Sequence, residues 1–327
     1  MTAGTSVDRA GARRGAGRSA TPAEPGSAAA RLAGLGAVLG AAMLWSFGGV
    51  LGKLSGVGGV VLSFWRMWLA TAVMVLVVLV TRRRPTTTDL RRAAPLGVLF
   101  GLNICAFFIT LQYLSVAIAL IIGALTPVVA LPIAAVAFGE RLSAVKMVCA
   151  VVAVAGVIAA VLLAPAPPST DGGGSLVGYA WAVVSLLVWV AYLLVSKRVR
   201  TRVETVPFMF VMSFVGAITV SLLVPFTDEP VSALDGRGWL WVSLLAVGPG
   251  LAGHGLLVWA QPRIDASVSS VLIQLEPVGA AIAAWVILDE QVSLGQAVAM
   301  VVVLAALGVL AWREAREAGL ALDEAIS

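Results

Sequence analysis

The stretch VLIQLEPVGAAIAAWVILDEQVS, residues 271–293, reads as a membrane helix interrupted by one carboxylate, Glu276, with Pro277 directly after it. In a span over 266–288, Glu276 falls near the bilayer midplane. An acidic residue facing lipid there costs roughly 2.5–3.5 kcal/mol on insertion scales, so it has to face a cavity or a partner. Pro277 removes a backbone donor, which frees a carbonyl to line the same cavity. The rest of the chain fits that reading. It is 60% hydrophobic and 12% charged, with a mean hydropathy of +1.00, which places it far from soluble usage.

Uncharged runs locate the other spans. Residues 93–139 carry no charge, and one straight helix of that length would overshoot a ~30 Å hydrocarbon core about twofold, so the run folds back near Ser115. The same reasoning gives spans at 32–53, 58–80, 94–114, 116–138, 144–163, 176–196, 206–226, 239–261, 266–288 and 293–312. The runs are continuous and rich in Leu, Ala and Val, as helices are and barrel strands are not. The expected fold is all-α and integral to the membrane, with ten transmembrane helices. The first run is too long for a signal-peptide core and no small-residue cleavage site follows it, so it is expected to stay.

Charge supplies the orientation. With a cytoplasmic N-terminus, 19 of the 22 Lys and Arg residues fall inside, Lys53 and Arg237 fall outside, and Arg66 lies within a helix. The positive-inside rule then puts both termini in the cytoplasm, in the inner cell membrane. A pI near 9.8 follows from the same bias and requires no nucleic acid. Residues 1–31 have little to bury and read as a disordered basic cytoplasmic tail. Residues 164–175 read as an extracytoplasmic linker, and 313–327 as a cytoplasmic tail.

The opening stretch has an earlier counterpart. TPVVALPIAAVAFGERLS from Thr126 aligns with EPVGAAIAAWVILDEQVS from Glu276, setting Pro127 over Pro277, Glu140 over Glu290 and Ser143 over Ser293 at an offset of 150. WSFGGVLGK aligns with WVAYLLVSK, setting Trp45 over Trp189 and Lys53 over Lys197 at an offset of 144. The order is the same in both halves, which argues for an internal duplication of 32–163 and 176–312. Each half holds five spans, an odd number, so the two repeats are inverted, an arrangement common among secondary transporters.

A Pro within the fourth helix, Gly-Glu or Asp-Glu at its end and Leu-Ser or Val-Ser opening the fifth, all doubled, resemble the EamA-type branch of the drug/metabolite transporter (DMT) superfamily. Arg66 in FWRMWLA adds to the likeness, which covers about residues 32–312. The resemblance implies a ten-helix carrier of small organic solutes, commonly an exporter, with a central cavity between the halves. Thr126 stands where the second half has Glu276, so a site built on that pair is asymmetric.

Other polar residues divide between structure and function. Glu140 and Glu290 sit just before the next helix, where the macrodipole favours a carboxylate, and Ser143 and Ser293 are natural N-caps, the latter with Gln296 in capping-box register. Arg66 and His254, the one histidine, each lie within ~5 Å of the depth of Glu276 at helical rise, and depth does not choose between them as its partner. Asn103 is a polar candidate on the third helix. The repeat-related Trp45 and Trp189 could flank a cavity, where aromatic faces suit flat or cationic solutes.

An intramembrane enzyme lacks its parts: there is no HExxH and no GxSG around a membrane serine. No cofactor or metal is expected. A carrier of phosphorylated or nucleotide-linked solutes is the nearer alternative, but phosphate recognition calls for several intramembrane cations. A channel would need a ring of like residues. No Walker motif is present, so ATP is not the direct driver. The expectation is therefore a secondary exporter of a small organic metabolite, amino acid-like or drug-like, working by alternating access in the lipid bilayer, with protons as the candidate coupling ion.

Overall fold

An apolar chain in lipid must satisfy its backbone groups internally, and this one does so with helices. The computed structural model describes residues 28–138, 144–165, 173–199, 203–260, 263 and 272–326. In chain order the α-helices are α1 (Ala28–Ser46), α2 (Gly48–Leu54), α3 (Gly59–Thr81), α4 (Thr87–Tyr113), α5 (Val116–Gly123), α6 (Thr126–Phe138) and α7 (Ala144–Leu162). There follow α8 (Gly173–Val199), α9 (Thr205–Ser221), α10 (Gly236–Leu245), α11 (His254–Ala260), α12 (Glu276–Leu288) and α13 (Leu294–Ile326). Among the described residues eight stretches are long and apolar enough to cross a membrane, and two shorter apolar helical stretches, Val116–Ala130 and Glu276–Leu288, accompany them. The protein is an all-α, multi-pass membrane protein.

Several expected spans are not straight rods. The first is interrupted at Phe47, between α1 and α2. The span expected at 116–138 turns at Ala124 and Leu125, and the second half turns at Gln274 and Leu275, 150 residues later. Glu276 therefore does not interrupt a helix; it begins one. Pro277 sits in the first turn of α12, where a missing N–H removes no intrahelical bond. The span at 236–260 joins α10 to α11 through a π-helical segment, Ala246–Gly253, which holds Pro249. Such widened turns often mark functional sites.

The buried core lies around α4, which packs along α8 and α9, with α3 against α9. Gly101 and Gly216 bring α4 and α9 into backbone contact: a Cβ on Gly101 would stand 2.8 Å from the Gly216 carbonyl oxygen. Small residues permit this approach where dispersion, not water, drives helix association. α4 begins with a capping box formed by Thr86 and Asp89. α7 and α13 form a second packed pair, with Gly156 against Val303. Leu76, Val80, Val151, Leu162, Val286 and Val301 point outward and exposed, as a lipid-facing surface requires. Cys105 and Cys149 are free and buried.

Candidate functional site

The break before α12 puts Glu276 at a helix N-terminus, where the exposed N–H groups and the helix dipole favour an anion. α12 starts against α1, where Ser46 Oγ donates to the Glu276 carbonyl at 3.1 Å as well as to Ala42 O at 2.8 Å. Gly279 makes this fit possible, since a Cβ there would collide with Ser46 Oγ. Thr126 occupies the same place at the start of α6 and turns its hydroxyl back to Gly123 O at 2.7 Å. At this position the two halves thus differ by one carboxylate.

No ion pair to the Glu276 carboxylate is found among the described residues. The ion pairs among the described residues are Lys53–Glu290 and Arg83–Glu204, so Glu276 meets neither Arg66 nor His254. It is partly buried. The residue before Ser46 opens the rest of the site: Trp45 Nε1 donates to Pro249 O at 3.0 Å, inside the π segment. His254 Nδ1 lies 3.4 Å from the same carbonyl oxygen.

Five rings form one continuous chain. Trp45 lies 4.8 Å from His254, His254 5.5 Å from Phe100, Phe100 5.8 Å from Tyr192, and Tyr192 stacks on Trp189 at 5.0 Å. The repeat-related tryptophans are its two ends. Gly253 lets Trp45 approach, as a Cβ there would stand 2.6 Å from Nε1.

Arg66 lies against this chain, its Cζ 6.0 Å from the Phe100 centroid and 5.7 Å from that of Phe108. It is 5% exposed, and its Nε and Nη1 are buried with no hydrogen-bond partner among the described residues, as is His254 Nε2. Removing a cation from water costs several kcal/mol. Two distant aromatic faces offset on the order of 0.5–2 kcal/mol of that. Phe108 also walls a cavity of about 260 Å³ lined by Gly52, Lys53, Leu62 and Gln112 among others.

The remaining candidates lie elsewhere. Asn103 Nδ2 donates to Ser185 O at 2.9 Å and Oγ at 3.1 Å, tying α4 to α8 one helical turn beyond Phe100. Glu290 holds Lys53 Nζ at 2.6 Å and accepts from Val116 N at 2.9 Å, at the start of α5. Its helix-terminus contact is therefore with α5 and not with the helix that follows it in sequence. Ser293 Oγ accepts from Gln296 N at 3.1 Å and donates to Leu163 O at 2.6 Å. Pro127 lies in the first turn of α6. Glu140 and Ser143 lie outside the described residues.

Sequence reasoning missed Phe100, Phe108, Tyr192 and Ser46. Tyr192 had a signal, standing three residues after Trp189 on one helix face. The two phenylalanines had none, because any apolar helix carries such residues.

Comparison with known proteins bears on what this arrangement does. The EamA-like transporter family matches the chain twice, over residues 32–162 and 176–312. An uncharacterized transporter of Clostridium kluyveri is 23% identical over 231 residues, covering 69% of this chain and 73% of the relative. One from Archaeoglobus fulgidus is 24% identical over 222 residues, covering 67% and 76%. A crystal structure with 23% identity superposes with a TM-score of 0.61 over 88% of this chain and 98% of its own, a likeness of fold.

Proposed function

This chain belongs to the EamA-like transporter family of the DMT superfamily and is a secondary transporter of small molecules, and on that premise we propose that it exports a small organic metabolite by alternating access. The observation that carries the reading is Glu276, a carboxylate with no ion pair among the described residues, placed at the start of α12, where its backbone carbonyl accepts from Ser46, the neighbour of Trp45 in the ring chain with His254 and Phe100. Broken helices with polar termini at membrane depth are how secondary carriers build substrate sites.

The ten-span, inverted-repeat topology belongs to the same proposal, with the eight long stretches completed by the two that contain the breaks. Both termini are then cytoplasmic, on the strength of the charge bias. Arg66, His254, Trp45 and Trp189 line the solute path, and Asn103 borders it through its tie to α8. Glu276 takes up a proton from one side and releases it to the other, so that export is coupled to proton entry. The elements packed on α12 are α1, α2 and α5. Among the described residues their intramembrane faces bring one cation, Lys53, which Glu290 already holds, so no described cation fixes Glu276 in its charged form.

A solute-uptake screen in proteoliposomes with an imposed pH gradient tests this reading. Protein-containing vesicles should move at least one small organic solute faster than protein-free vesicles, and the gradient should change that rate. No solute moving above the protein-free rate would overturn it.

A further inference from the structure

We propose that Arg66 is an anion receptor, and that the transported solute carries a single carboxylate which pairs with its guanidinium while its apolar part lies against Phe100 and Phe108. The inference rests on the transporter reading above and adds the charge class of the solute.

Arg66 is sealed at 5% exposure, yet Nε and Nη1 find no acceptor among the described residues. Among the described residues no counter-ion pairs with it, Glu276 included. Its planar fork of donors matches a carboxylate or phosphate in a two-bond arrangement.

A dianionic phosphate would need a second cation. α3 packs against α4, α9, α10, the π segment and the short 3-10 turn Val224–Phe226, which is uncharged. α9 carries no charge. Arg91 and Arg92 of α4 lie near its first turns, eight or more residues before Phe100, or about 12 Å along the axis. Arg237 opens α10, thirteen residues before Gly250, roughly 20 Å away by helical rise. Lys53 is engaged by both Glu290 Oε1 and Leu114 O. Among the described residues one fixed positive charge therefore faces the ligand.

The surroundings select the rest of the molecule. Phe100 and Phe108 flank the guanidinium, and Gly250 passes close enough that a Cβ there would lie 3.7 Å from Nη2. His254 reaches Phe100 as well and leaves Nε2 without a partner. The site thus offers one cation, one spare imidazole nitrogen and aromatic faces, which describes a receptor for an organic monocarboxylate.

The test compares three probes of one shape, phenylacetate, phenylacetamide and phenethylamine, together with inorganic phosphate, by their effect on the thermal unfolding midpoint of the purified protein. Phenylacetate alone should raise the midpoint saturably. In Arg66→Gln its half-saturating concentration should rise at least about tenfold, as loss of a charge-assisted pair implies. Equal effects of acid, amide and amine, or no effect of phenylacetate on the wild type, would overturn the proposal even if the variant fails to fold. A phosphate effect as large as that of phenylacetate would overturn the organic class. Flux in proteoliposomes separates the two readings. If other solutes are carried while phenylacetate neither binds nor competes, the anion receptor fails alone. If no solute is carried, the transport reading fails and the binding result stands by itself.

Discussion

Lys53 Nζ stands 2.6 Å from Glu290 Oε1, while Glu290 Oε2 accepts from Val116 N at 2.9 Å and Lys53 Nζ donates to Leu114 O at 2.9 Å. One carboxylate of the second half thereby fastens two elements of the first, α2 and the start of α5. The side chains are 26% and 15% exposed, so the pair is only partly screened by water. These contacts account for a charged acid at position 290.

Glu290→Gln should accordingly destabilise the fold by about 1–3 kcal/mol, since it removes the negative charge that pairs with Lys53 and weakens the cap on α5. Thermal unfolding of Glu290→Gln, Lys53→Met and the double variant measures this. The double variant should lose less than the two single losses combined, and strictly additive losses would mean that the pair contributes nothing.

Gly253→Ala should push Trp45 off the Pro249 carbonyl, because the new methyl falls 2.6 Å from Nε1. Overpacking of this kind costs about 1–3 kcal/mol. Flux should fall several-fold, and Trp45→Phe in the same protein should restore part of it by removing the clashing atoms. A Gly253→Ala protein that carries solute normally would show that this contact does not shape the path.

How much of this was legible beforehand depended on period and length. Spans of about twenty uncharged residues announce themselves, because lipid demands them. The turns at Ala124–Leu125 and Gln274–Leu275 were not legible as such: the residues there are apolar and read as continuous helix. The π segment around Pro249 was equally hidden, since a widened turn has no composition of its own. The offset of 150 selected Glu276 and Glu290, but it could not reveal that Glu290 reaches back to Lys53. Arg66 and His254 stand out in the sequence as polar residues at depth, Trp45 and Trp189 as aromatics paired by the offset of 144. What links them is Phe100 and Tyr192, and which of many apolar side chains forms such a link is decided by helix rotation, which a weak periodicity does not fix.

The orientation can be checked without a substrate. Reporter fusions after Trp312 and within residues 227–237 should label the cytoplasm and the exterior respectively. The opposite labelling would reverse the proposed topology, and labelling of both on one side would remove the inverted repeat.

His254→Ala should lower flux at all pH values by opening a gap between Trp45 and Phe100, while leaving the response to an imposed pH gradient in place. A variant that transports normally but no longer responds to the gradient would assign the proton to His254 and not to Glu276.

The central claim is that the Glu276 carboxylate works in transport. Its most direct test is solute flux into proteoliposomes, with and without a pH gradient, for the wild type and Glu276→Gln at matched amounts of folded protein. The account predicts that wild-type flux responds to the gradient and that Glu276→Gln folds in normal yield but loses at least about tenfold in flux, equivalent to roughly 1.4 kcal/mol, along with the response. A Glu276→Gln protein that carries solute at the wild-type rate and still answers the gradient would contradict it.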